Sequence, residues 1–313
     1  MINGRLKKIL TILLLVILII SICGVVIHEI NYYRARKSYS QAASMAAATS
    51  DPETETEPET ETETEAEVET ETEKETETET ESETETETET ETETETETET
   101  ETELKPQPEP ETDSVAQQLL DTDLDALRKV NGDVFGWITI PDTSVSYPLL
   151  QGDDNSYYLN HSWEGLWNPV GSIYLDYRNA QDFSDFHTII YGHRMYNDSM
   201  FNSLQYYKDA SYLEEHPYVY VLNDDGVLRY RVFSAYKATT DSPAWRLGLT
   251  KLKDQQLLID YFIQESVVDA DTRPLAINHD NVLTLSTCSQ AGPSENRWVV
   301  HCFLDTAFPR ENP

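Results

Sequence analysis

Basic side chains are scarce in this sequence: 22 Lys and Arg stand against 58 Asp and Glu among 313 residues, a formal net charge of −36. The shortage is uneven. Residues 51–112 hold 29 acids and 2 Lys, residues 1–50 hold 6 bases and 1 acid, and residues 113–313 hold 28 acids and 14 bases, a net of −14. Nucleic-acid binding rests on clustered Lys and Arg, so that deficit over the largest part of the chain excludes it as a partner. Cysteine is rarer still, with three residues and no Cys-x-x-Cys pair. Together with scattered histidines this gives no metal-ligand set, and no cofactor motif is present. Apolar side chains are nearly missing from 51–112, which cannot offset roughly 1–2 kcal/mol of backbone entropy per residue and is expected to be disordered.

What remains divides into a basic apolar head, the acidic segment and one domain of ordinary size. Residues 1–8 form a short stub. Residues 9–27 run from Ile9 to Ile27 without a charge, and a 19-residue helix spans about 28 Å, near the hydrocarbon thickness of a bilayer. A cleaved signal peptide would need a small-residue site soon afterwards, yet Ala46-Ala47-Ala48 comes about 20 residues later. An uncleaved membrane anchor is expected, followed by a juxtamembrane segment over 28–50. Arg5, Lys7 and Lys8 balance Arg34, Arg36 and Lys37, so the flanking charges alone leave the orientation tied. The long acidic segment ahead of a domain suits the outer side, with the N-terminus inside.

From Glu53 to Glu103 Glu and Thr alternate almost without interruption. A strand would line every Glu along one face with nothing apolar to bury, and a helix would set Glu against Glu at i+4. Self-repulsion extends such a chain, so residues 51–112 are expected to act as a stalk reaching between roughly 45 and 200 Å. Binding of cations or basic proteins, or glycosylation of the hydroxyls, stays open as an added role.

The domain over 113–313 is expected to be mostly β. A helix is predicted over Ser114 to Val130 from the spacing of Leu119, Leu120, Leu124, Leu127 and Val130. Eight strands follow: Trp137 to Ile140, Val145 to Leu149, Ser172 to Leu175, Thr188 to Tyr191, Tyr218 to Leu222, Leu228 to Ala238, Val282 to Ser286 and Trp298 to Leu304. Lys251 to Glu265 carries a helical apolar stripe between the sixth and seventh. Closure removes sheet edges, so a closed β-barrel is the expected solution.

Cys23 lies in the apolar anchor. Cys288 and Cys302 stand 14 positions apart in the two last strands, and a disulfide must be weighed for an exported pair. Strand parity opposes it: if Cys288 and Arg297 share a cleft, residues 297, 299 and 301 share a face and Cys302 points away. A free Cys288 is then either buried and inert or exposed and used. Its use requires a proton donor and a group to hold an oxyanion. Among His161, His187, His193, His216, His279 and His301, His193 ends the apolar run Ile189-Ile190-Tyr191-Gly192, which delivers it at a rim, while His187, His216 and His301 look structural. Arg297 opens an apolar strand at the same end. Spacing alone leaves the Cys-His-Arg site and the inert core thiol both standing.

Thr284-Leu285-Ser286-Thr287-Cys288, Arg297-Trp298-Val299-Val300-His301 and Tyr191-Gly192-His193 together resemble the signature of the sortases, cysteine transpeptidases of Gram-positive surfaces. Gly136-Trp137-Ile138, Tyr147-Pro148 to Gln151, Asp154-Asn155, Tyr158-Leu159, Gly171-Ser172-Ile173 and Ser199-Met200-Phe201 extend the resemblance to class B members over about 120–305. Arg194, where Asn or His is common, and Cys302, where Gly is common, depart from that pattern. The resemblance implies a sortase-like barrel with Cys288 as nucleophile, His193 as general acid then base, and Arg297 as oxyanion and positioning group. It also implies that Asn155, Leu159, Ser286 and Ser289 line the substrate groove. The substrates implied are surface proteins with a C-terminal sorting motif cut after Thr, and the acceptor is an amine of a peptidoglycan precursor or a pilin. An L,D-transpeptidase, which would carry Gly before its Cys, and a non-catalytic stalked binding module remain alternatives.

Overall fold

The computed structural model describes residues 4–47, 113–195, 197–269, 281–288 and 296–310. The Glu-Thr segment therefore lies outside the described residues, as do Ser289 and His279.

The first helix, α1, runs unbroken over Gly4–Ala46. It takes in both the expected membrane span and most of 28–50, and it is long and apolar enough to cross a membrane. No proline interrupts it, and its last turns (Gln41-Ala42-Ala43-Ser44-Met45-Ala46) are rich in strong helix formers. Its two halves differ in surroundings. Side chains from Ile12 to Ile27 are exposed, whereas Ala35, Ala42 and Ala46 are buried.

The single helix expected over 114–130 is instead two, α2 (Ser114–Leu120) and α3 (Leu124–Arg128). Aspartate explains the break. Asp113 accepts from the amides of Val115 and Ala116, and Asp123 accepts from that of Ala126 at 2.9 Å, so each helix has its own cap, the role Asp prefers over a helix interior.

Eight strands follow: β1 (Val134–Thr139), β2 (Ser146–Leu150), β3 (Ile173–Leu175), β4 (His187–His193), β5 (Tyr218–Leu222), β6 (Gly226–Thr239), β7 (Val282–Cys288) and β8 (Asn296–Pro309). They close into a barrel in the order β1-β2-β3-β4-β7-β8-β6-β5. The β2–β3 and β4–β7 pairs are parallel and the others antiparallel. A short helix, α4 (Ala210–Glu215), precedes β5, and α5 (Leu252–Glu265) lies between β6 and β7. The barrel, its eight strands and the inserted helix agree with expectation. Strands β6 and β8 are longer than predicted because they pair along their whole length, from Gly226↔Pro309 to Thr239↔Asn296.

Alternation along β4, β7 and β8 separates two faces. Ile190, Leu283, Leu285, Val300 and Cys302 fill the barrel. Val282, Val299 and Phe303 face outward and pack with Leu258, Ile259 and Phe262 of α5, each fully buried apolar side chain contributing about 2–3 kcal/mol. Cys302 is a free thiol inside the barrel, which removes the disulfide alternative and agrees with the parity argument. Burial pushes that thiol well above the usual cysteine range, leaving it unreactive.

Beneath α5 two histidines are locked in place. His187 Nδ1 meets the Arg246 carbonyl at 2.7 Å and its Nε2 meets Thr284 Oγ1 at 2.7 Å; His301 Nδ1 meets the same hydroxyl at 2.8 Å and stacks on Phe262. Burial lowers His187 to about 4 and holds His301 well below the usual range. The unfolded chain takes up protons near pH 6.5 that the native state refuses, so this stability is complete above that pH and is lost as pH falls toward 4. His187 alone accounts for about 3 kcal/mol. Urea midpoints at pH 7.5 and pH 5 should differ accordingly, and equal midpoints would refute the neutral buried pair.

Candidate active site

Three strand ends meet at one rim. Strand β4 finishes in Gly192-His193, and only glycine fits there, since a Cβ would lie 2.4 Å from Ile173 Cδ1 and 2.7 Å from the Phe201 ring. The parallel β4–β7 ladder pairs His193 with Cys288, neighbouring strands being about 4.8 Å apart. The antiparallel β7–β8 register Ser286↔Val299, continued by two residues, sets Cys288 opposite Arg297. Thr287 Oγ1 supports that continuation by accepting from the Trp298 amide at 3.0 Å. Residues 284, 286 and 288 share the outward face with 297, 299 and 301, so backbone parity directs all three candidate positions to one face at one end of the barrel. The Cys288 side chain itself lies outside the described atoms.

His193 is half-buried and held. Its Nε2 lies 2.5 Å from the Leu159 carbonyl. Burial keeps the imidazole below the usual histidine range, the Leu159 carbonyl pulls the other way, and the positive charge of Arg297 adds to the depression. Gly171, in the left-handed region at φ 64°, backs the pair: a Cβ there would come within 2.6 Å of the Leu159 carbonyl oxygen and 2.8 Å of His193 Cδ2.

The expected groove residues fare differently. Leu159 is at the site, but through its main-chain oxygen. Asn155 donates to Asp176 Oδ2 at 2.9 Å and accepts from the Tyr177 amide at 3.0 Å, so its amide serves the scaffold first. Ser286 is buried on the outward face of β7, and its hydroxyl has no hydrogen-bond partner among the described residues. Arg194 turns to Asn202, Nε to Oδ1 at 3.4 Å. His161 binds the Tyr157 carbonyl and stacks on that ring, and His216 binds the Pro141 carbonyl, in keeping with structural roles.

Asp176 was not singled out by sequence reasoning. It is fully buried at the end of β3 and accepts from Asn155, Tyr191 and Arg178. Burial alone would raise its carboxyl; the bonds from Arg178, Asn155 and Tyr191 outweigh it and hold the group below the usual carboxylate range. The network ties the 155–159 segment to β4, and so positions the Leu159 carbonyl under His193. A carboxylate directly after the apolar run Ile173-Tyr174-Leu175 was the available signal.

The family model for the Sortase domain matches residues 138–305, just over half of the chain. Sortase B of Listeria monocytogenes is 39% identical over 165 residues, covering 52% of this chain and 65% of that protein, slightly under two thirds of its length. Sortase B of Staphylococcus aureus is 34% identical over 184 residues, covering 59% of this chain and 75% of that protein. A solved structure described as a Staphylococcus aureus sortase B–substrate complex is 34% identical, with a TM-score of 0.56 over 61% of this chain and 85% of that one. The matched stretch contains His193, Cys288 and Arg297, and on that footing the chain belongs to the sortase family and stands with its class B members.

Proposed function

We propose that this chain is a membrane-anchored cysteine transpeptidase. It cuts a C-terminal sorting motif of surface proteins after Thr, keeps the acyl fragment on Cys288 as a thioester, and passes it to an amine of a peptidoglycan precursor or a pilin. The observation that carries the reading is the β4–β7 register, which seats His193 beside Cys288. The complex of substrate with the Staphylococcus aureus relative supports the same substrate class here. Residues 9–27 cross the membrane, with the N-terminus inside and the barrel on the wall side.

The chemistry follows from the groups at the rim. A neutral imidazole suits the depressed His193. It takes the Cys288 proton as sulfur attacks the Thr carbonyl, then gives that proton to the leaving amine as the C–N bond breaks. In the second half it accepts a proton from the incoming amine, which displaces sulfur, and returns that proton to the departing Cys288 thiolate. Arg297 supplies oriented N–H donors to the oxyanion formed at each attack. Ser286 offers a buried hydroxyl with no partner among the described residues, and an unmet buried hydroxyl costs about 1–3 kcal/mol, which a bound peptide group would relieve; Asn155, Leu159 and Ser289 are proposed to line the same groove.

The test is direct. The full chain is incubated with a panel of Thr-containing sorting peptides, quenched in acid, and digested for mass spectrometry. The Cys288 peptide should gain the mass of an acyl group ending in Thr, and a thiol-directed probe should label Cys288 in competition with the peptide. A Cys288 that neither labels nor acylates would sink the reading.

A further inference from the structure

Helix α1 does not end at the membrane; its second half is seated on the barrel. Ala35, Ala42 and Ala46 are buried, at 4%, 0% and 6% exposure, and with Tyr39 they recur at helical spacing on one face. The seat is polar as well as apolar. Tyr39 donates its hydroxyl to the Gly171 carbonyl at 2.7 Å, lies 3.1 Å from Ser172 Oγ and packs edge-on against Tyr147. Ser38 donates to Glu164 at 2.6 Å, and its carbonyl accepts from the indole N–H of the fully buried Trp163 at 3.1 Å.

The end of α1 lies beside the point where the chain re-enters the fold. The Ala46 carbonyl accepts from the Asp123 amide at 3.0 Å, and Ala42 and Ala46 share a core cluster with Ala116, Leu119, Leu124 and Leu127 of α2 and α3. The 65 residues numbered 48–112 thus join two points that an ordinary helix–helix connection of about 2–8 residues would join.

We propose that residues 32–46 of α1 are a docking stem that clamps the barrel to its own membrane anchor, so that the acidic segment closes a loop while the stem is seated and supplies reach only when it leaves. This rests on the membrane reading of residues 9–27. Tyr39 follows Ile27 by 12 residues, about 18 Å of helix, so the docked barrel is held close to the bilayer surface. The clamp also touches the chemistry at one remove. Gly171, which takes the Tyr39 hydroxyl, packs against the Leu159 carbonyl and the His193 ring.

The experiment uses the full chain in liposomes, with a specific protease site inserted near residue 80. Complete cleavage should leave the barrel fragment in the liposome pellet. In Ala42→Glu, which would bury a charge in the seat, and in Tyr39→Ala, cleavage should raise the soluble fraction of that fragment at least about tenfold. Thermal melts of the released fragment confirm that it is folded. Release of the wild-type fragment on cleavage would overturn the docking, as would equal retention in both variants. If the uncleaved chain fails to pellet, the anchor reading fails instead; the docking is then read by co-elution of the two cleaved halves in size exclusion, their separation in wild type overturning it.

Discussion

Cys288→Ala should give a folded chain that forms no thioester and releases no leaving peptide, a loss on the order of 10⁶ in rate if the triad acts as a unit. The size of that loss comes from chemistry rather than from stability. Sulfur forms the bond that divides a difficult aminolysis into two easier steps, and no other thiol reaches the rim: Cys302 is sealed in the barrel and Cys23 lies in α1. Cys288 closes β7, and its backbone stays paired with His193 whatever its side chain, so the melting temperature should barely move. The reverse is expected of Cys302→Ser, which places a hydroxyl in the apolar interior beside Val300 and Leu283. That variant should lose stability, about 1–3 kcal/mol, and keep its acylation rate when assayed below its melting point. Rapid-quench acylation with matched thermal melts checks both. Residual turnover of Cys288→Ala at a comparable rate would take the nucleophile away from this position.

The contrast between the two cysteines was legible in sequence, because strand parity needs only the alternation of β8. So was the delivery of His193, since Ile189-Ile190-Tyr191-Gly192 reads as a buried strand ending at a residue without a Cβ. What could not be read is anything that depends on a partner distant in the chain. The full length of β6 and β8 is set by each pairing with the other, and no propensity at Val227 or Phe308 announces it. Leu159 was expected along the groove, and the carbonyl by which it meets His193 is a backbone property on which residue type is silent. Asn155 was expected to line the groove, and the bond its amide makes to buried Asp176 depends on a residue 21 positions away. The seat of α1 was hidden for the same reason. Ala35, Tyr39, Ala42 and Ala46 recur at helical spacing, but behind a membrane span that pattern has no meaning until Gly171 and Trp163 are brought to it. The break between α2 and α3, by contrast, was written in Asp123, whose cap preference outweighs the continuing apolar stripe.

Arg297→Lys should lower acylation by about 10² to 10³ while leaving the fold unchanged, although it conserves charge. Arg297 opens β8 opposite Ala238 and stands near enough to His193 for its charge to depress the imidazole. A lysine at the same position would keep part of that electrostatic effect. It would not keep the planar guanidinium, whose donors are fixed in a fork and can hold an oxyanion and a backbone carbonyl together, whereas an ammonium is a mobile point charge on a flexible stem. The two contributions can therefore be separated. If Arg297 acted only through its charge, Lys would restore the rate and the pH dependence of acylation together. If it acts by oriented donation, the pH profile should stay close to wild type while the plateau rate drops by the amount a lost oxyanion donor costs, about 3–4 kcal/mol. Single-turnover acylation across pH, with melts in parallel, distinguishes the cases. Equal plateau rates would remove Arg297 from the oxyanion site, and a large fall in melting temperature would reassign it to holding β8 against β6.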